Sequence, residues 1–394
     1  MTTPIKRTVL CCIGTRPEAI KMAPVIRALR DEGSIRCRVL ATGQHRELLD
    51  QTLAGFDIVP DLDLNIMQPE QSLAELTARL LLALDSALQK EKPDLVLAQG
   101  DTTTVLCTAL ASFYRHIPFG HVEAGLRTGN LRSPFPEEAN RVFASRLAAL
   151  HFAPTDSAKA NLLAAGVQPD AIHVVGNPVI DAVLIAKSRG PELRIPLDPR
   201  KRLILVTVHR RENFGRPIRD ICDAVARIVT TFKDVQVLWP VHPNSNIRPI
   251  VHEHFADTPG VHLCQPLEYE QCVAAMERSY LVLTDSGGLQ EEAPALGKPV
   301  LVLRRNTERP EAIQAGVAML VGTIPEVIFA AVRRLLEDRA AWLAMSRGNN
   351  PFGDGHAARR IAAAVKDFFG APVPQVYFRK SSPKVPLPVA ESLE

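Results

Sequence analysis

Short runs of Val, Leu and Ile, bare of polar alternation, recur along the chain and are separated by longer stretches with helical periodicity. In the first half the runs cover 8–13, 37–41, 95–98, 119–122, 151–153 and 172–175; in the second they cover 203–207, 235–240, 261–264, 281–284, 300–303 and 318–321. Unalternating apolar runs suit parallel strands covered on both faces, and strand–helix alternation predicts an α/β protein of doubly wound parallel sheets. A single sheet of that many strands would be unusually wide. Two Rossmann-like domains facing a cleft are therefore expected, at 1–180 and 181–365, divided where Asn177-Pro178, Gly190-Pro191, Pro196 and Pro199 interrupt any long element. Residues 366–394 are read as a helix end followed by a proline-rich, disordered tail.

Composition narrows the function. The chain of 394 residues carries 46 basic and 43 acidic side chains, a net charge of +3, too small a surplus to predict a nucleic-acid partner. The longest apolar run, 80–84, falls far below the roughly 18 residues of a membrane span. The apolar segment 8–13 runs into Gly14-Thr15-Arg16-Pro17 rather than a cleavage site, so no secretory signal is expected. The seven cysteines include no C-x-x-C pair, and reduced thiols in a cytoplasmic protein are the expected state. No closely spaced ligand quartet predicts a metal site. His252 and His254 are spaced like a pair on a strand, without a nearby carboxylate.

The chemistry-bearing residues cluster at predicted strand ends, the edge where open α/β sheets bind ligands. Ser286-Gly287-Gly288 follows the run 281–284 and opens a helix, where free N–H groups and the helix dipole favour a phosphate. Read alone, it is equally an ordinary Ser-Gly cap. Glu292, one turn on, is placed to accept both hydroxyls of a ribose. Neither G-x-G-x-x-G nor G-x-x-x-x-G-K-[ST] occurs, so nicotinamide and P-loop readings lack their signature. Arg16 and Lys21 sit on the turn after the first strand, where a guanidinium suits pyrophosphate oxygens, although such a pair is more often solvated surface. Pro24 is expected to break or kink the helix that follows. Asp101, Glu123 and Glu137 are the acidic counterparts. Their bland alternatives are a helix N-cap, a pair with Arg127 and a solvated loop side chain. Converging carboxylates would supply acid and base forms together. In the second half His209, flanked by Arg210 and Arg211, is expected to favour its neutral form unless a diphosphate is bound. His242 also ends a strand on the ligand edge.

Together the segments GTRPEAIKMAP (14–24), DLDLNIMQP (61–69), GDTTT (100–104), GHVEAGLRTG (120–129), PFPEEANR (134–141), HRREN (209–213), TDSGGLQEEAPALGKPVLVLR (284–304), TERPEA (307–312) and NPFGDG (350–355) resemble the non-hydrolysing UDP-N-acetylglucosamine 2-epimerases. The resemblance implies a GT-B-like fold, a homodimer and a cofactor- and metal-free interconversion of UDP-GlcNAc and UDP-ManNAc. It further implies elimination of UDP to 2-acetamidoglucal and re-addition, supplying ManNAc-type sugars for surface polysaccharide. On the family's pattern Arg16, Lys21, Ser286, Gly287, Gly288, Glu292 and Arg309 match UDP-binding positions, and Leu267 and Cys272 lie where the uracil is held. Asp101, Glu123, Glu137 and His209 match catalytic positions. Gln44, Gln71, Glu137, Arg210 and His242 match a second nucleotide-sugar subsite of bacterial relatives. The sequence departs from the pattern at Glu70, Cys272, Val208 and Arg305-Asn306. A glycosyltransferase or a nucleotide-sugar sensor would grip the nucleotide alike, but would leave three cleft carboxylates with less to do.

Overall fold

A computed structural model describes residues 6–43, 52–68, 70–256 and 258–370; the sequence-predicted tail beyond 370 and Gln44 lie outside them. The first lobe is a seven-stranded sheet of β1 (Arg7–Ile13), β2 (Ile35–Ala41), β3 (Leu62–Asp63), β4 (Leu95–Gln99), β5 (Phe119–Val122), β6 (Leu150–Ala153) and β7 (Ile172–Val174). The second has six strands: β8 (Arg202–Thr207), β9 (Val235–Pro240), β10 (Val261–Cys264), β11 (Ser279–Thr284), β12 (Val300–Val302) and β13 (Ala318–Leu320). Every pairing is parallel, in the orders β3-β2-β1-β4-β5-β6-β7 and β10-β9-β8-β11-β12-β13. All the runs expected from sequence are strands. The additional β3 is only two residues long, pairing with Leu40 and Ala41 of β2, too short to register as a run.

Each strand buries both faces, as its sequence requires. Val9, Cys11 and Ile13 of β1 pack under the helix Arg16–Asp31, whereas Leu10 and Cys12 face the helices Leu73–Glu91 and Thr103–Tyr114. The alternation of β-strand side chains divides one apolar run between two cores. In the second lobe Leu203 and Leu205 face one core, and Ile204 and Val206 face the helix Arg216–Thr231. Full burial of each such side chain contributes about 1.5–3 kcal/mol.

Pro24 does not break its helix. Arg16–Asp31 runs on through it, with Met22, Ala23, Val25 and Ile26 buried on either side. Packing of that face outweighs the single backbone hydrogen bond that proline forfeits. His252 and His254 do not lie on a strand but on the short helix Arg248–His254, and His254 meets Asp223 at 3.5 Å. All seven cysteines are free thiols, and no helix among the described residues is long and apolar enough to cross a membrane.

The lobes are joined through helices. Pro178–Ser188 packs against Arg16–Asp31 of the first lobe and also against Tyr269–Arg278 and Gly287–Ala295 of the second; Ala357–Gly370 then returns to cover Arg16–Asp31. Buried Asp181 fastens this junction by accepting from the backbone N–H groups of Ala357 and Ala358 at 3.1 and 3.0 Å. Asp181→Ala strips the returning helix of its N-terminal acceptor. Its expected cost is about 1–3 kcal/mol, read as a lower urea midpoint at unchanged slope.

Candidate active site

In both sheets the strand order reverses between two central neighbours, β1 and β4 in the first lobe and β8 and β11 in the second. The crevice outside such a switch point is where doubly wound sheets take ligands. Gly14-Thr15-Arg16 leaves β1 and Gly100-Asp101 leaves β4, while Val208-His209-Arg210 leaves β8 and Asp285-Ser286-Gly287 leaves β11. The sequence-predicted residues thus emerge from all four critical strand ends.

The first-lobe turns are interlocked. A Cβ on Gly14 would lie 2.3 Å from the Thr104 hydroxyl, so only glycine lets the two turns pack this closely. Buried Glu18 accepts from the N–H groups of Gly14 and Thr15 at 2.5 and 2.7 Å and from the Thr102 hydroxyl. Burial, against these donors, pushes its carboxyl up to about 7. The signal for Glu18 was the capping-box spacing Thr15-x-x-Glu18, which the sequence reading passed over.

Asp101 is not a helix cap; Thr102 performs that role by accepting from the Val105 N–H. The Asp101 carboxylate faces Arg141 at 3.6 Å, and its backbone carbonyl accepts from Asn140 at 2.9 Å. The Gly100 carbonyl is 2.7 Å from Nε2 of His121, a ring that burial pushes down to about 4 and so keeps neutral. Burial pushes the Asp101 carboxyl up to about 6, with Arg141 opposing.

Glu123 is the most restrained of the three acids. It sits at φ 61°, buried, and binds Lys21 at 2.8 and 2.6 Å. Gln99 and Asn177 also donate to it, the latter at 3.1 Å, and Arg309 stands 3.9 Å away. Burial works to raise its carboxyl, but the charges of Lys21 and then Arg309 prevail and hold it below the usual range. The pairing with Arg127 does not form; that guanidinium donates to Leu126 O and to Ser145. Nor is Glu137 a loop residue. It opens the helix Glu137–Leu147. A cavity of about 310 Å³ brings Lys21, Asp101, Glu123 and Glu137 together with Arg210 and Arg309 of the second lobe, within the size range of small-molecule sites.

The second lobe supplies the facing edge of the crevice. Ser286 occupies the N-cap position of the helix Gly287–Ala295, without a side-chain capping bond. A Cβ on Gly287 would lie 3.6 Å from Arg210, and one on Gly288 3.1 Å from Glu292. Burial and then the charge of Glu291 push Glu292 up to about 8. Tyr269 lies buried and Cys272 partly buried beside it, and burial pushes the Cys272 thiol up to about 12. Arg16 crosses from the first lobe to Leu267 O at 3.4 Å. Arg309 pairs with Glu291, which accepts from Asn177 at 3.1 Å. Neither Glu291 nor Tyr269 was singled out from the sequence.

The nearest charged partner of His209 is not an arginine. Its Nδ1 lies 3.1 Å from the carboxylate of Asp285, a neighbour the sequence reading did not include. The His242 ring is 6.1 Å away and its Nδ1 accepts from Asn244 N–H at 3.2 Å. Arg210 stands 3.8 Å from Glu308. Gln71 does not line the cavity and is engaged by Arg79 and Met67. Among the described residues no cluster of His, Cys, Asp or Glu is arranged to hold a metal.

An aspartate whose value lies above its ordinary 3.8 binds its proton more tightly in the folded protein. Its contribution to stability is complete below about pH 4 and is lost as pH rises towards 6. Asp101→Asn, which cannot ionise, is therefore expected to stabilise the fold by about 1 kcal/mol at pH 8, allowing for the partial exposure of this side chain, and to gain nothing at pH 4. Denaturant titrations at the two pH values check it.

Comparison with known proteins identifies the family. The family profile described as UDP-N-acetylglucosamine 2-epimerase matches residues 27–366. The Escherichia coli K12 UDP-N-acetylglucosamine 2-epimerase is 52% identical over 369 residues, which cover 91% of this chain and 98% of that protein. The Neisseria meningitidis UDP-GlcNAc 2-epimerase bound to UDP-GlcNAc superposes with a TM-score of 0.85 at 44% identity, covering 91% of this chain and all of that one. The calicheamicin glycosyltransferase, at 16% identity and a TM-score of 0.57 over 94% of this chain and 100% of that one, shares the fold alone and marks it as GT-B-like. This chain belongs to the UDP-N-acetylglucosamine 2-epimerase family, the one its sequence resembles.

Proposed function

We propose that this chain reversibly converts UDP-N-acetylglucosamine to UDP-N-acetylmannosamine, without hydrolysis, by eliminating UDP to 2-acetamidoglucal and re-adding it with inversion at C2. The observation that carries this reading is the convergence of Asp101, Glu123 and Glu137 with Lys21, Arg210 and Arg309 in one cavity between the lobes. No carbonyl adjacent to C2 acidifies its proton, so departure of the diphosphate from C1 must lead, with oxocarbenium character at C1. Cations aimed at the leaving oxygens stabilise that charge as it develops. Lys21, Arg309, the helix start at Ser286–Gly288 and His209 are the donors in this reading, with Arg16 towards the nucleotide. Leu267 and Cys272 flank the uracil, and Glu292 takes the ribose hydroxyls.

Inversion requires a proton to leave one face of C2 and return on the other, hence two groups. Glu123 is already committed to Lys21 and Arg309, which suits an anchor of the cations. Asp101, at about 6, is poised to exchange a proton near neutral pH, and Glu137 across the cavity is its partner. Asp101 must be ionised to accept the C2 proton, so kcat/KM is expected to fall as pH drops below about 6.

The decisive experiment incubates UDP-GlcNAc with the protein in deuterated water. Deuterium should enter C2 of the nucleotide sugar as the manno isomer appears, and Asp101→Asn should slow both by about 10²–10⁴-fold. Isomer formation with no deuterium, or an undiminished Asp101→Asn, would sink the mechanism.

The same reading includes a homodimer acting in the cytoplasm and feeding surface-polysaccharide precursors. Leu82, Phe113, Tyr114 and Phe143 are exposed on the neighbouring helices Leu73–Glu91, Thr103–Tyr114 and Glu137–Leu147, a face that suits a second copy. Light scattering should give twice the mass of one chain, and Phe113→Glu with Phe143→Glu should halve it.

A further inference from the structure

Asp285 is the most deeply buried acid at the ligand edge of the second lobe, with no exposed surface. Its two oxygens accept from Nδ1 of His209 at 3.1 Å, from the backbone N–H of His209 at 3.0 and 3.1 Å, from the backbone N–H of Arg210 at 2.8 Å and from the side-chain amide of Asn213 at 2.9 Å. Asn213 is itself fastened to Leu303 O at 3.2 Å, and the Asp285 N–H donates to Thr207 O at 3.2 Å. The carboxylate is therefore held from the turn that follows β8 and from Asn213, while the backbone of Asp285 is tied to β8. Burial favours its neutral form, but the bonds from His209, Arg210 and Asn213 prevail and hold it below the usual range. It is an anion with four donors and no lysine or arginine head group among them.

A carboxylate can accept from Nδ1 only if that nitrogen carries a proton. The neutral ring then presents a bare lone pair at Nε2, which repels phosphate oxygens. With Nδ1 held protonated by the carboxylate, only the imidazolium also offers an Nε2–H, and a fixed anion behind the ring favours that form. The other ring nearby, His242, stands 6.1 Å away and uses its own Nδ1 on Asn244. Arg210 is turned towards Glu308, at 3.8 Å.

We propose that Asp285 is a positioning residue that fixes the tautomer and orientation of His209 and balances its imidazolium, so that Nε2–H donates to the departing diphosphate. The inference rests on the assignment of His209 to that diphosphate. Asp285 acts through the ring, without touching the sugar or the nucleotide.

A double-mutant cycle on kcat tests it. Asp285→Asn is expected to lower kcat about 100-fold with KM changed less than threefold, and His209→Asn to lower it at least as far. The double variant should be no slower than His209→Asn alone, within about threefold, because the carboxylate has nothing left to act through. Losses that multiply would overturn the proposal, since a scaffold role for Asp285 costs as much with the ring as without it. Full activity of His209→Asn would overturn instead the assignment of His209, so the two failures are distinct. Should Asp285→Asn fail to fold, nitrogen-15 spectra of the UDP-bound wild type decide the matter, with His209→Asn assigning the ring. A proton on both ring nitrogens of His209 supports the proposal, and a proton on Nε2 alone ends it.

Discussion

Everything else in the site is arranged around one buried charge network that crosses between the lobes. Glu123 of the first lobe binds Lys21 and faces Arg309; Glu291 of the second lobe binds Arg309; Asn177, at the crossover between them, donates to both carboxylates at 3.1 Å. Two anions and two cations taken out of water carry a large desolvation penalty, and removing any one leaves an uncompensated buried charge worth about 3–5 kcal/mol. An apolar core at this junction would be cheaper. Its residues are instead those that hold the cations at the mouth of the cavity. In the proposed reaction a diphosphate entering there competes with protein carboxylates for Lys21 and Arg309, which places a second anion against Glu123 as the sugar arrives. The network thus sets both the geometry of the lobes and the charge state the ligand meets.

That network sits where it does because of strand order. Both sheets reverse direction at their centre, and the four strand ends flanking the two reversals carry Arg16, Asp101, His209 and Ser286 within three residues. The turns are then locked in pairs. Glu18 ties the turn after β1 to the turn after β4, and Asp285 ties the turn after β8 to the turn after β11. Each lobe uses one buried carboxylate to join the two halves of its own ligand edge, so the reactive side chains are displayed from closed loops rather than free ones.

The architecture was legible because its signal is redundant. Each central strand is buried on both faces, so every residue in the run must be apolar, and the runs 95–98 and 281–284 stand out without any partner being known. Where one residue carried the information, it was less legible. Pro24 looked like a helix breaker because its local cost is visible in sequence and the packing of Met22, Val25 and Ile26 around it is not. His252 and His254 looked like a strand pair because a spacing of two is all that a sequence shows of them. The site divided in the same way. Arg16, Asp101 and His209 were found as polar residues close behind strands, and Glu137 in the loop ahead of its helix. Glu18, Glu291 and Asp285 were missed because each lies beside a more conspicuous neighbour; Glu18 left only its capping-box spacing from Thr15, and Glu291 and Asp285 meet Asn177 and the turn after β8 only through the fold. Glu123 was found, but its partners Lys21 and Arg309 are 102 and 186 positions away, separations that only the fold closes.

The carboxyls pushed upward show what the fold gives up for its chemistry. Glu18 near 7, Asp101 near 6 and Glu292 near 8 are all acids that the folded protein prefers to keep protonated. An apolar or amide side chain at any of them would relieve that burden at neutral pH. They persist where a ligand or a neighbouring loop makes use of the oxygen: Glu18 satisfies three donors, Asp101 faces the cavity, and Glu292 stands one turn into the glycine-opened helix. Strain that stability alone would remove is concentrated at the one edge where both lobes can reach the same small molecule. A scaffold optimised only to fold would have no reason to place three such acids there, and on the proposed roles a scaffold that only bound a nucleotide would need Glu292 but not Asp101.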